Sequence, residues 1–175
     1  MTPRCFPLFT TKHHHAMNES IFLPISIRIE GKRILIIGGG RVGAHKAEIL
    51  SRYTRSVEVV SKEFHENFST LPFRLIQKSY APTDLDGSFL VYICTENEQL
   101  NARIKADCEA RGILASVCDN PSLCDFVSPA VHRQDHMTIA VGSDSRDVMH
   151  SIRVRNRIAQ LAEEGKIFDT PEQEK

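Results

Sequence analysis

The chain has 175 residues, 41% hydrophobic and 25% charged, and its 22 basic and 22 acidic side chains give a formal net charge of zero. That length suits one domain with an appendage, and the neutral balance argues against a nucleic-acid or acidic-membrane partner, which a basic surface would serve. No apolar run approaches the roughly 18 residues that a bilayer span needs, and the apolar stretch 6–9 is too short for a signal-peptide core, so a cytoplasmic protein is expected.

Residues 1–20 lack periodicity and read as a disordered extension, with Met17 a candidate start; His13, His14 and His15 suit either a metal-binding tract or a solvated tail. Residues 25–29 alternate apolar and polar, which predicts an edge strand before the Glu30-Gly31 turn. Residues 34–37 are apolar without alternation, as in a strand buried on both faces. That run breaks into Gly38, Gly40 and Gly43, a G-x-G-x-x-G register followed by a helix over 41–52 and a second strand over 57–60. In a dinucleotide-binding turn the first glycine permits the tight bend and the second lacks the Cβ that would block a pyrophosphate. The third lets the helix pack close to the sheet, and the helix amides face the phosphates.

The pattern continues with a short helix or irregular turn at 64–68, a third strand at 74–77, and a loop or brief helix at 82–85. A strand at 89–94 follows, then a helix at 97–111 with Leu100, Ile104 and Cys108 at helical spacing, closed by Gly112. Residues 113–117 form the next strand. This alternation predicts an α/β fold, a Rossmann-type parallel sheet with helices on both faces, over residues 21–128. A different regime starts near Pro129. Residues 136–141 read as a half-buried strand with Met137, Ile139 and Val141 on one face, and 147–162 as an arginine-rich helix. Residues 129–175 are too short for a core of their own, so this strand-helix segment is expected to dimerise with a second copy. The five cysteines are expected to be buried thiols. Cys118 and Cys124 lack C-x-x-C spacing and a second pair, so no zinc site is expected.

Four stretches resemble the precorrin-2 dehydrogenase family, the N-terminal module of siroheme synthases. They are L-P-I-S-I-R-I-E-G-K-R-I-L-I-I-G-G-G-R-V-G-A-H-K-A (23–47), V-V-S-K-E-F (59–64), V-Y-I-C-T-E-N-E-Q-L-N (91–101) and V-C-D-N-P-S-L-C-D-F-V-S-P-A (117–130). The resemblance implies NAD-dependent oxidation of precorrin-2 to sirohydrochlorin by a homodimer with a small helical region. Some members also insert ferrous iron to give siroheme.

Such an oxidation removes a hydride and a proton, so it needs a carboxylate or water chain near the departing proton. Asp119, at the predicted C-terminal end of a parallel strand, matches the family's functional aspartate; from spacing alone it equally suits the Asx turn of Asn120-Pro121. Arg41 and Val42 belong to the glycine turn, and Lys62 and Glu63 to the end of the second strand. There Ser61 stands where a ribose-binding acid is usual, a Ser-Lys pair that could favour a 2′-phosphate although the resemblance implies NAD. Thr95 suits either a ribose contact or the start of the following helix.

The substrate's carboxylates call for cations, with His132, Arg133, Arg146, Arg153, Arg155 and Arg157 as candidates; Arg146, Arg153 and His132 are assigned to substrate with Ser143. An arginine-rich helix also suits a plain solvated face, and His132, His136 and His150 suit packing or surface roles. One stretch departs from the family: where it has a Ser/Thr-Gly-Gly-x-Ser-Pro turn this chain reads Gly142-Ser143-Asp144-Ser145-Arg146-Asp147-Val148, with Ser143 keeping the hydroxyl position and Asp144 or Asp147 left to cap the helix. With little chain beyond that helix, dehydrogenation is expected over iron insertion. The alternative is a non-catalytic regulator of the same fold that binds a tetrapyrrole or a dinucleotide.

Overall fold

The structure is a computed structural model that describes residues 20–167; Cys5, the histidine tract and Met17 lie outside it. Five parallel strands form the central sheet: β1 (Arg33–Ile37), β2 (Val57–Ser61), β3 (Arg74–Gln77), β4 (Ser88–Ile93) and β5 (Leu114–Val117), in the order β3-β2-β1-β4-β5. The strands are parallel because each returns through a crossover, and this sets every strand exit at one edge. Helix α1 (Arg41–Ser51) covers one face, where Ala44, Ala47 and Leu50 pack with Ile34, Ile36, Val57 and Val59. Helix α2 (Glu98–Glu109) covers the other, its Ile104 and Cys108 packed with Leu35, Ile37, Val91, Ile93 and Val117. Consecutive residues of β1 feed opposite cores, which is why its sequence shows no alternation. Short 3-10 turns at Glu66–Thr70, Pro82–Leu85 and Pro121–Leu123 complete the connections.

Beyond the sheet, β6 (Ala130–Gln134) and β7 (Met137–Val141) form an antiparallel hairpin against which α3 (Val148–Glu163) packs. Strand β6 is not legible in the sequence, because His132, Arg133 and Gln134 hide its alternation. The hairpin turns through Asp135 in the left-handed region, at φ 51°.

The edge strand expected at 25–29 is absent: β1 already has β2 on one side and β4 on the other, so the residues leading into it meet no open strand. They form an arm without regular secondary structure, with Ile25 66% and Leu23 81% exposed. The arm is tied by the Phe22 N–H, which donates to the Asp144 carboxylate at 3.1 Å.

At the entry end of the sheet, Arg33 bonds Glu58 through Nη2 (2.6 Å) and Nε (3.1 Å), and its Nη1 donates to Ser88 Oγ and to the carbonyls of Asp84 and Asp86. One guanidinium therefore joins β1, β2 and β4. The Arg33 hydrogen bond holds the Glu58 carboxyl below its ordinary value, with Arg74 assisting. Because the folded value is the lower one, the stabilisation is complete above the usual glutamate range and is lost as pH falls through the lowered value. Arg33→Ala should therefore cost about 2 kcal/mol near pH 7, as expected for hydrogen bonds to charged groups. The gap to wild type in urea unfolding should narrow below about pH 4.

Candidate functional site

The exits of β1, β2, β4 and β5 converge on the glycine turn. The Gly38 N–H donates to the Val60 carbonyl at 2.9 Å and the Cys94 N–H to the Ile37 carbonyl at 2.7 Å, so the turn leaves the sheet clamped between β2 and β4. The clearance there is very small. A Cβ on Gly38 would lie 2.4 Å from the Cys94 carbonyl oxygen, one on Gly39 2.3 Å from that of Glu63, and one on Gly43 2.1 Å from that of Gly38. Gly38 also sits at φ 113°, a conformation that side chains rarely adopt. Gly40 differs: a Cβ there meets nothing within 4 Å, so its place faces open space. Gly40 is the N-cap of α1, with no side-chain cap and no acidic residue in the first turn. The first amides of α1, at Arg41, Val42 and Gly43, are thus left for an anion, with Arg41 and Val42 exposed. This arrangement fits a dinucleotide's diphosphate. Gly39, which the G-x-G-x-x-G register leaves unassigned, is as sterically constrained as Gly43.

Lys62 and Glu63 lie exposed just past β2, beside that turn. Their backbone is fixed: the Lys62 carbonyl accepts from Gln77 Nε2 at 3.1 Å, and the His65 N–H donates to the Gly39 carbonyl at 2.7 Å. Thr95 follows β4. Its hydroxyl donates to Asn101 Oδ1 at 2.5 Å, and Asn101 Nδ2 donates back to the Thr95 carbonyl at 2.8 Å. The cap of α2 is Asn97, whose side chain accepts from the Leu100 N–H at 2.9 Å. Buried Asn101 is a site residue that sequence reasoning assigned no role; its signal was a polar residue on the inner face of an amphipathic helix.

Asp119 is exposed directly beyond β5, at the same edge. The loop carrying it returns to cover the outer side of β5. There the Asp125 carboxylate accepts from the Ala115 N–H (2.9 Å) and from Lys105 Nζ (2.7 Å), and Cys124 Sγ bonds both the N–H and the carbonyl of Val117 at 3.2 Å. Lys105 is only 5% exposed, so its charge depends on Asp125 and Glu109. This clamp on the Asp119 loop was not read from the sequence, since its partners come from different elements.

A cleft of about 300 Å³ lies between this loop and the turn after β7, lined by Asn120, Pro121, Ser122, Asp144, Ser145 and Arg146 with Ser20. Ser143 sits at the head of that turn, where its Oγ accepts from the Asp147 N–H (3.2 Å) and from Ser151 (3.0 Å). Asp147 is the cap of α3, accepting from the His150 N–H at 2.7 Å. Of the four residues assigned to substrate, Arg146 lines the cleft and Ser143 adjoins it. His132 on β6 and Arg153 on α3 do not line it. Arg133 stacks over the Tyr53 ring at 4.9 Å, and Arg155 donates to the Val131 carbonyl at 3.4 Å, so both are used in packing. Asp144 and Ser145 lie at φ 49° and 61°, where the expected pattern has two glycines. The backbone keeps a glycine conformation that non-glycine residues must hold under strain.

A parallel sheet with its ligand edge at the strand exits, and an uncapped helix behind a glycine turn, define a dinucleotide-binding domain of the Rossmann class. The family model described as "Putative NAD(P)-binding" matches residues 25–130, and the chain belongs to that family. It is 34% identical over 157 residues to a siroheme synthase of Ectopseudomonas mendocina (strain ymp), covering 84% of this chain and 34% of that protein. A siroheme synthase of Psychrobacter sp. (strain PRwf-1) is 32% identical over 146 residues, covering 81% of this chain and 30% of that protein. The chain thus spans about a third of the length of these relatives. Among solved structures it is similar to "SirC, precorrin-2 dehydrogenase", with a TM-score of 0.68 at 15% identity over 79% of this chain and 70% of that one, a likeness of fold.

Two glycine substitutions should separate folding from binding. Gly43→Ala should destabilise by about 3 kcal/mol, because its Cβ meets backbone. Gly40→Ala should stay within about 1 kcal/mol of wild type yet weaken dinucleotide binding at least about tenfold by calorimetry. In the turn after β7, Ser145→Gly should raise stability by about 1 kcal/mol in urea unfolding, through relief of its left-handed conformation.

Proposed function

We propose that the chain binds NAD+ and oxidises precorrin-2 to sirohydrochlorin, a step of siroheme synthesis. The observation that carries this reading is the position of Asp119. It is an exposed carboxylate at the exit of β5, on the same sheet edge as the glycine turn and beside the cleft that ends in Arg146. The names of the relatives, siroheme synthases and a precorrin-2 dehydrogenase, agree with it.

When bound, NAD+ supplies the hydride acceptor. The chain's own work is positioning and proton transfer. The α1 amides hold the diphosphate, and the exposed Lys62 and Glu63 flank the adenosine side, with Ser61 in place of the usual acid. Thr95, held by Asn101, shapes the floor between the β4 and β5 exits. Asp119 receives the proton leaving the macrocycle carbon, and its exposure at the strand exit leaves the carboxylate open to the substrate. Arg146 offers a cation to a substrate carboxylate at the cleft, with Ser143 behind it; Arg153 and His132 bear on the substrate's outlying carboxylates. Exposed Met137, Val148 and Met149 on β7 and α3 support a homodimer through this segment. The proposal places the protein in the cytoplasm, and Cys94, Cys108, Cys118 and Cys124 are free thiols.

The strained turn after β7 favours one other reading, a tetrapyrrole- or dinucleotide-binding regulator without turnover, because a loop held against its preferences is a feature of binding and switch sites alike. NADH formation from precorrin-2 separates the two. Asp119→Ala should lower kcat by about 10²–10⁴-fold while NAD+ binding stays within about twofold of wild type. Binding of both ligands by the wild type with no NADH formed would select the regulator.

A further inference from the structure

The last register pair of β4 and β5 is Ile93 with Val117, so Cys94 and Cys118 are neighbours one step beyond the sheet. Their sulfurs lie 2.7 Å apart. Adjacent strands run about 4.8 Å apart, within the Cα separation that a disulfide accepts. The backbone there is fixed, since the Cys94 N–H donates to the Ile37 carbonyl and the Cys118 N–H to the Ile93 carbonyl at 2.9 Å. A metal ion would need its two thiolates roughly 3.7 Å apart at zinc–sulfur bond lengths, so the spacing favours a covalent bond between the sulfurs over a shared ion.

We propose that Cys94 and Cys118 form a thiol modification site: a dithiol that small disulfides oxidise to an intramolecular disulfide at the dinucleotide edge of the sheet. Cys118 is half-buried and Cys94 only 6% exposed, which sets the order of events. The Cys118 thiolate attacks one sulfur of the small disulfide, forming a mixed disulfide and releasing one thiolate. Cys94 then gives its proton to that thiolate and attacks the Cys118 sulfur, breaking the mixed disulfide; the second small group leaves as a thiolate and takes up the proton that Cys118 had released to solvent. The cysteines lose two electrons and two protons, and the small disulfide becomes two thiols.

The surroundings favour Cys118 as the attacking group. The hydrogen bond from Cys94 holds its thiol below the ordinary range, burial opposes this, and the Lys46 ammonium adds to the lowering against the charge of Asp119. Cys94 is pushed up by the same hydrogen bond and by burial. Among the described residues the other two thiols are poor competitors: burial raises Cys108 to about 11, and Cys124 is raised by burial and engaged with the Val117 backbone. The bond would tie together the residues just before Thr95 and Asp119, and it lies under the glycine turn, where a Cβ on Gly43 would sit 3.7 Å from Cys94 Cβ.

The test is incubation of the native full-length chain with oxidised glutathione, followed by alkylation, intact mass measurement and peptide mapping. The expected result is loss of two hydrogens with Cys94 joined to Cys118, reversed by dithiothreitol. Cys94→Ser should instead accumulate one glutathione on Cys118, and Cys118→Ser should be modified at least about tenfold more slowly. The proposal is overturned if both thiols remain alkylatable in the folded protein, if other cysteines are joined, or if Cys118→Ser oxidises at the wild-type rate. No tetrapyrrole or NAD+ enters this assay, so its failure would leave the proposed oxidation of precorrin-2 standing, and the reverse holds.

Discussion

Backbone passes against backbone at the glycine turn with no room for a methyl group. Gly38 lies against the Cys94 carbonyl, Gly39 against that of Glu63 and Gly43 against that of Gly38. These approaches let the chain leave β1 between two neighbouring strand exits and enter α1 at once. They bring the first turn of α1 down onto the sheet edge, where its uncapped amides face the only glycine of the turn with space in front of it, Gly40. Any side chain at the packed glycines would push α1 away from Ile34 and Ile36 and separate the anion site from the core that supports it.

Parallel pairing extends this local arrangement to a whole site. Lys62, Thr95 and Asp119 are far apart in sequence, and they share an edge because β2, β4 and β5 all run the same way as β1. Each exit is then held by its own polar contacts. Gln77 fixes the carbonyl of Lys62, Asn101 fixes Thr95, and Lys105 with Asp125 fixes the loop of Asp119. Two of these three supports involve α2, so the helix that closes the second core also sets the geometry of the edge.

The hairpin and α3 meet this edge at the cleft beside Asn120. The turn there keeps a left-handed backbone at Asp144 and Ser145 although neither is glycine. Asp144 offsets part of that strain by accepting from the Phe22 N–H, which anchors the exposed arm leading into β1. The first residues described and the end of the hairpin therefore share one hydrogen bond across the cleft mouth.

The sequence by itself determined the order and type of the central elements. An apolar run without alternation, a glycine turn and a helical repeat are local signals, and β1, α1, β4 and α2 appear where those signals stand. It also placed Asp119 and Thr95 at strand ends, because a strand end is a local boundary. Only the tertiary structure decided what depends on neighbours. The alternating residues 25–29 form no strand because β1 has no open side; β6, polar in sequence, becomes a strand because β7 folds back upon it. Likewise the roles of Asn101, Lys105, Asp125 and the Cys94–Cys118 pair come from contacts across 6 to 24 residues of chain. Periodicity reports which face of an element is buried, whereas the partner a buried polar group finds is fixed only when the elements pack.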